Sequence, residues 1–521
     1  MFDILIRNGT IIDGAQTPRY QADLAIQGDR IVQIGRLDDN SEAHQVLDAA
    51  GQIVAPGFVD VHNHSDGWLL KTHHLTSKTL QGFTTEVIMA DGISYAPLTP
   101  ETATDWIYYL RTLNALRLEE YSGWETLAEY MALLDGANVQ NSIPHIPYAN
   151  LRTLACGWGR QPPDDFQMRQ IIAEVEKGMA AGAVGLSTGM DYVTQQFAGT
   201  EELVEVCRVM RAQQGLYVSH VRYKKGTLAG VQEAVEIGRR AGVPVHISHL
   251  KGTSPAEIDA LLHYIDTIAV NEVDFSFDVY PYLPGSTMLN YLLPYEVWVD
   301  GPLGVLPKLR DRQIRERFAQ SLAFTPLDET FIAWLPSKEN SHHQGKTLGQ
   351  YVRDSGKAAA DALCDLLIEE NLTVLLVFHQ GDDRLIDPFL QHRCYMMGSD
   401  GIYHEDGAVH PRQYGSGVRL IGRCVRDWKL FSLEDAVYKL SGHPAARFGL
   451  RQRGRLKEGN FADLVIFDAA TVTDHATYLA PHQRATGVNT VIVNGRPIVL
   501  QGEPVTELAG PYPGRALCFK A

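Results

Sequence analysis

The sequence predicts an α/β protein: a (β/α)8 TIM-like barrel with a small β-sandwich built from both chain termini and an inserted lid segment. Three observations predict it. Short β-rich runs alternate with helical patterns through the middle of the chain, the signature of a parallel sheet with crossover helices. Both ends carry closely spaced short strands and turn dipeptides. Histidines and aspartates in the middle fall where β-rich runs end, the face on which a barrel of this type builds its active site.

In chain order, residues 1–52 hold the apolar runs Phe2-Ile6, Thr10-Ile12, Asp23-Ile26 and Arg30-Ile34, broken by Asn8-Gly9, Asp13-Gly14 and Gly28-Asp29, which are turn signals. The texture returns in residues 451–521, where Ala462-Asp468 and Val491-Val493 flank further turns. The two ends are expected to form one composite sandwich, with residues 53–450 inserted between them as the barrel. The candidate barrel strands are Val54-Val61, Thr84-Ala90, Ser142-Tyr148, Ala183-Ser187, Leu216-Val221, Val243-Leu250, Phe275-Tyr282 and Tyr395-Ser399. Helical patterns such as Gln170-Ala181, Glu201-Gln213 and Leu228-Ala241 lie between them. A ninth β-rich run, Thr373-Phe378, leaves the last two strands open. The segment from 284 to about 349 has no βα rhythm and carries Pro284, Pro294, Pro302, Pro307, Pro326 and Pro336. A connection of that length over a barrel mouth is expected to act as a lid or binding element.

Composition narrows the function classes. A net charge of −16 without a basic run argues against a nucleic-acid partner. No stretch of 18 uncharged apolar residues suggests a membrane span, and the N-terminus lacks a basic n-region with a cleavage site. The 6 cysteines are scattered with no C-x-x-C pair, which fits a reducing cytoplasm. A homo-oligomer is compatible with the sequence, which does not fix the oligomeric state.

The chemistry starts at Ile53 to Asp66, IVAPGFVDVHNHSD. His62 and His64 are two apart, so on a strand they share a face and can bind one metal ion. Three other runs end in matching residues: His220, His249 and Asp400. Four histidines and an aspartate from four strand ends point to a metal-dependent active site. The second run ends in Asp91, which either bridges two metals or caps its Asp-Gly turn. The fourth run has no lysine to serve as a bridge, which favours Asp91 as a ligand. Glu86 lies too early in the same strand. His246, three residues before His249, should point to the opposite side and serve packing or face solvent.

These motifs, together with Pro56-Gly57-Phe58-Val59-Asp60, Gly185-Leu186-Ser187-Thr188-Gly189, Ser248-His249-Leu250-Lys251, Asp278-Val279-Tyr280 and Ser399-Asp400-Gly401 followed by His410-Pro411-Arg412, resemble the D-aminoacylase (N-acyl-D-amino-acid deacylase) branch of the amidohydrolase superfamily along nearly the whole chain. The resemblance implies zinc, one or two ions per chain, with His62 and His64 in one site and His220 and His249 in the other. It implies Asp400 as catalytic acid and base, and Lys251, Arg412, Tyr280 and Ser286 as holders of the small-molecule substrate's carboxylate and polar groups. The chain departs from the family pattern twice. Asp91 stands where members carry a cysteine, and this harder oxygen ligand could admit Mn2+ or Co2+. Tyr148 stands where the third strand carries a histidine, and is expected to donate to substrate or oxyanion. The rival readings are a cyclic-amide hydrolase of the dihydroorotase and hydantoinase kind, and a non-catalytic barrel scaffold.

Overall fold

A computed structural model of the chain describes residues 1–379, 381–508 and 510–520. Its centre is a closed barrel of eight parallel strands: β1 (Phe58–Asp60), β2 (Phe83–Ile88), β3 (Asn141–Pro144 continuing as Ile146–Pro147), β4 (Gly185–Gly189), β5 (Leu216–His220), β6 (Val245–Ile247), β7 (Phe275–Val279) and β8 (Tyr395–Met397). Each strand pairs in parallel with the next. All eight runs expected from the sequence contribute a strand. The ring closes just beyond the ends of β1 and β8. There the Asp400 amide donates to the His62 carbonyl at 2.7 Å and the His64 amide donates to the Gly401 carbonyl at 3.0 Å. A fully buried pair, Lys78 with Asp60, fastens the same seam, and Asp60 also accepts the Ser399 amide at 2.8 Å.

Helices cover the outside of the strands. Thr227–Ala241 buries Val231, Ala234, Val235, Ile237 and Ala241 on one stripe and stops at Gly242, whose φ is 74°. A side chain at Gly238 would come within 2.1 Å of Val245, so glycine there lets the helix lie against β6. A separate apolar cluster drawn from β1, β2, β3, β5 and β8 includes Val59, Val87, Ile143, Val218 and Met396 and packs with Phe448.

The two termini form one mixed sheet of nine strands. Leu464–Phe467 from the C-terminal part pairs antiparallel with Ile53–Pro56, which pairs in turn with Phe2–Ile11. The run Val54-Val61 is thereby divided. Its first half belongs to this sheet and only its second half to the barrel. The break falls at Gly57, where any side chain would collide with Thr84 at 2.3 Å.

The ninth run is also resolved. Leu375–Phe378 is no barrel strand: it lies between Ser286–Met288 and Thr330–Trp334 in an antiparallel three-stranded sheet. That sheet and its helices are inserted between β7 and β8 and rest over the end of the barrel where the strand-end histidines gather.

Candidate metal centre and active site

Asp91 lies among four imidazoles. It follows β2 in a left-handed conformation, with φ 58° and ψ 17°, a region aspartate enters more readily than most residues. Its Oδ1 is 3.5 Å from His62 Nε2 and 3.5 Å from His249 Nε2. Its Oδ2 is 3.7 Å from His64 Nε2 and 3.9 Å from His220 Nδ1. His220 Nδ1 and His249 Nε2 are 3.0 Å apart. All five side chains are buried.

Each imidazole turns its other nitrogen to a polar group behind it. His62 Nδ1 is 3.8 Å from Asp278 Oδ2, and His64 Nδ1 is 3.1 Å from Asn114 Oδ1. His220 Nε2 is 3.7 Å from Asp191 Oδ2, and His249 Nδ1 is 3.3 Å from the Tyr223 hydroxyl. Such partners select the ring nitrogen that faces a metal and hold the ring in place.

The cluster fits a divalent metal. The donor atoms form two triads, His62–His64–Asp91 and Asp91–His220–His249, each with all its atoms within 4.8 Å of one another. Separations of this order suit ligands sharing one ion through bonds of about 2.0–2.2 Å. Buried His62 Nε2 and Asp91 Oδ1 have no hydrogen-bond partner among the described residues, an expensive arrangement unless something binds there. Charge agrees. Burial works to raise the Asp91 pKa, but the His62 and His249 imidazoles outweigh it and hold the carboxyl well below its ordinary range. Burial works to lower the His62 pKa, but Asp91 and Asp278 drive it well above the ordinary imidazole value. The carboxylates therefore draw positive charge to this point.

Asp400, in a left-handed turn with φ 48°, stands between this cluster and a cationic locus. Its Oδ1 is 3.2 Å from His64 Nε2 and 3.7 Å from His62 Nε2, and its Oδ2 is 2.8 Å from Arg412 Nη1. Burial works to raise the Asp400 pKa, but Arg412 first, and then His64, His249 and His62, outweigh it and hold the carboxyl well below its ordinary range. Arg412 Cζ lies 4.5 Å from the Tyr280 ring centre and Lys251 Nζ lies 5.1 Å from it. Among the described residues, Arg412 Nε and the Tyr280 hydroxyl are buried without hydrogen-bond partners. These groups adjoin a cavity of about 280 Å³ whose walls include His64, Asp91, His220, His249, Asp400, Lys251 and Ser286, with Leu113, Tyr192, Tyr291 and Phe378 as apolar surface.

Two expectations change. Tyr148 is not at the cavity. It begins the helix Tyr148–Cys156, is fully buried, and its hydroxyl donates to Glu202, which also accepts from Arg152 Nε at 2.9 Å. β3 breaks at His145, so the residues after it do not continue the strand's alternation, and the helix start turns Tyr148 toward Thr200–Arg208. His246 is buried and packs on Phe448, as expected of a packing residue, but its Nε2 also contacts Asp278 Oδ2 at 2.9 Å. It thus braces the carboxylate behind His62. Ser286 lines the cavity, though its hydroxyl donates to the Leu376 carbonyl at 2.7 Å. Glu86 lies off the cluster. Burial first of all pushes its pKa up to about 7, and Gln140 donates to it at 2.5 Å.

Known proteins match this architecture. The chain fits the profile of the amidohydrolase family over residues 45–292 and 396–499. The chain belongs to the amidohydrolase family. Its place is in the D-aminoacylase branch: it is 36% identical to the D-aminoacylase of Alcaligenes xylosoxydans xylosoxydans, over 100% of this chain and 98% of that one. It is 34% identical to the N-acyl-D-glutamate deacylase of the same organism, over 99% and 96%. The crystal structure of N-acyl-D-glutamate deacylase from Bordetella bronchiseptica, complexed with zinc and a phosphonate inhibitor, superposes with a TM-score of 0.84 at 31% identity, covering 99% of each chain. An amidohydrolase of this branch is a metal-dependent enzyme that cleaves amide bonds, and its cofactor is zinc or a similar divalent ion. The family profile skips most of the segment inserted between β7 and β8 and begins after the first three strands of the terminal sheet, so the matched frame is the barrel with the remaining part of that sheet.

Sequence reasoning missed the outer partners. Asp278 stood inside a motif but without a role, and Asp191 lies two residues past the end of β4, where the strand-end rule could have flagged it. Asn114 ends the helix Pro100–Asn114, and no local signal marks it.

Proposed function

We propose that this amidohydrolase hydrolyses the linear amide of N-acyl-D-amino acids, releasing a carboxylate and a free D-amino acid, and that it prefers neutral side chains. One observation carries the reading. The two oxygens of Asp400 face two different places, the metal-ligand cluster on one side and the Lys251–Arg412–Tyr280 locus on the other. A substrate spanning them has its scissile amide at the cluster and its carboxylate at the cations.

His62, His64, Asp91, His220 and His249 would hold the metal, with Asp91 shared between the two triads. A divalent ion in that position polarises the scissile carbonyl and acidifies water. Asp400 is ionised and accepts a proton from the attacking water. It then delivers that proton to the leaving nitrogen as the C–N bond breaks, one carboxylate serving as base and then acid. Arg412 helps keep Asp400 charged through Nη1, and its Nε, the Tyr280 hydroxyl and Lys251 are the donors offered to the substrate carboxylate. A planar guanidinium suits that task. Ser286 flanks the same carboxylate.

Among the described residues lining the cavity, Lys251 is the sole lysine or arginine. The cations therefore make one anion locus, and the walls of Leu113, Tyr192, Tyr291 and Phe378 suit an uncharged side chain. The net charge of −16 supports the absence of a nucleic-acid partner, and unpaired cysteines support a cytoplasmic setting. No helix among the described residues is long and apolar enough to cross a membrane.

The test is a panel run on metal-analysed protein: N-acetyl-D- and L-methionine, N-acetyl-D-glutamate, a hydantoin and dihydroorotate. Fastest turnover is expected on N-acetyl-D-methionine. Preference for a cyclic amide, or for the L isomer, would overturn the reading.

A further inference from the structure

Asp191 lies in the loop after β4, buried, with three kinds of donor around it. Its Oδ1 accepts from the Tyr295 hydroxyl at 2.8 Å, and its Oδ2 accepts from the Tyr291 hydroxyl at 3.2 Å and the Lys224 amide at 3.2 Å. The same Oδ2 faces His220 Nε2 at 3.7 Å. Tyr291 and Tyr295 are not barrel residues; they belong to the segment inserted between β7 and β8. Lys224, beside β5, ties that segment down further. Its ammonium donates to the Tyr291 carbonyl at 2.7 Å and lies 4.1 Å and 4.6 Å from the Tyr291 and Tyr295 ring centres. The Tyr192 ring touches both sides, 4.9 Å from His220 and 5.4 Å from Tyr291.

His220 presents Nδ1, not Nε2, to Asp91 and His249. A neutral imidazole ligates through one nitrogen only if its proton sits on the other, and an acceptor at that other nitrogen fixes both tautomer and ring angle. His220 Nε2 is buried with no hydrogen-bond partner among the described residues, and the charged acceptor it faces is Asp191 Oδ2 at 3.7 Å; Asp191 is held in turn by two tyrosines of the inserted segment.

We propose that Asp191 is a positioning residue for His220, and that Tyr291 and Tyr295 make the ion affinity of the Asp91–His220–His249 triad depend on how the inserted segment is seated. The segment is then more than a cover: its docking sets one half of the metal centre. The inference rests on the ligand assignment above and not on the substrate proposed.

The experiment is zinc titration of chelator-stripped, full-length protein against a chromophoric competitor, with thermal melts alongside. Asp191→Asn is expected to weaken one zinc equivalent about 10–100-fold, the usual cost of losing such a partner, and to leave the other equivalent within about twofold. The Tyr291→Phe, Tyr295→Phe double variant should weaken the same equivalent about 3–10-fold, as expected for lost hydrogen bonds of ordinary strength. Asn114→Ala, behind His64, should weaken the other equivalent instead, a separation that general destabilisation does not produce. If folded Asp191→Asn binds both equivalents like the wild type, or loses both equally, the inference is overturned. Should that variant not fold, unchanged affinities in the double tyrosine variant overturn it equally. A wild type that binds no zinc would sink the ligand assignment itself, and the inference with it.

Discussion

Replacing Asp400 with asparagine separates its chemistry from its place in the structure. The substitution keeps shape and volume, removes the proton acceptor, and leaves Arg412 charged in a site where the two side chains are 0% and 8% exposed. Loss of a general acid–base group costs about 10²–10⁴ in turnover, or roughly 3–5 kcal/mol of barrier. Removing one partner of a buried ion pair costs about 3–5 kcal/mol of stability, because the remaining charge is stranded. With an unfolding entropy of roughly 2 cal/mol/K per residue, a chain of 521 residues that melts as one unit loses about 3–5 °C. Zinc content should hold, since Asp400 stands outside both donor triads. Arg412→Met added to Asp400→Asn should recover most of the melting temperature and none of the turnover. The assays are turnover of N-acetyl-D-methionine, zinc by emission spectrometry and melting by calorimetry. Near-normal kcat with full zinc would remove Asp400 from the proton path. An unchanged melting temperature would show that the pair with Arg412 carries no weight.

Three further outcomes follow from the same geometry. Asp91→Asn should weaken both zinc equivalents together, because one carboxylate serves both triads; loss of a single equivalent in the chelator titration would argue against a bridge. Lys251→Met should raise KM for N-acetyl-D-methionine about 10–100-fold, the worth of a charged hydrogen bond, while leaving kcat/KM for an N-acyl amine without a carboxylate unchanged; an equal loss on both would reject the anion locus. Burial holds the His404 imidazole down at about 4, against about 6.5 in the unfolded chain, so the unfolded state binds the extra proton first. The stability from this residue is complete above pH 6.5, declines as pH falls from 6.5 toward 4, and totals roughly 3 kcal/mol. His404→Phe, which keeps the ring stacked on Trp334 at 3.7 Å, should flatten that part of the urea-midpoint profile, and an unaltered slope between pH 7 and pH 4.5 would refute the assignment.

Where the sequence was legible, the reason is local. A strand alternates with period two, and its end is marked by the next turn, so His62, His64, His220, His249, Asp91 and Asp400 could be placed on one face before any contact was known. Where it was not, the information lies in pairing. Thr373-Phe378 has the composition of a barrel strand, and only its neighbours Ser286–Met288 and Thr330–Trp334 show that it belongs elsewhere. The family pattern alone places Tyr148 at the site, and the break of β3 at His145 is followed by a helix that turns its hydroxyl to Glu202 instead. Asn114 and Tyr291 reach the centre from a helix and from the inserted segment, and their approach is set by tertiary packing that no spacing rule contains.

The strand-end rule also leaves out what fixes the groups it finds. Asp91, His249 and Asp400 all have positive φ, at 58°, 35° and 48°. For residues with a side chain this conformation costs on the order of 1–2 kcal/mol each. A regular strand would carry each side chain on along the barrel wall; the left-handed turn instead bends the chain over the barrel mouth at the residue that must face inward. The turns are held by bonds that reach across strands: the Asp400 amide to the His62 carbonyl at 2.7 Å, and the His249 amide to Asp278 Oδ1 at 2.9 Å. Asp278 thus holds the backbone of one proposed ligand while its other oxygen faces the ring of another, His62. The strain and its restraint occur at the same place, and for that reason the geometry of the centre depends on residues such as Asp278 that ligate nothing.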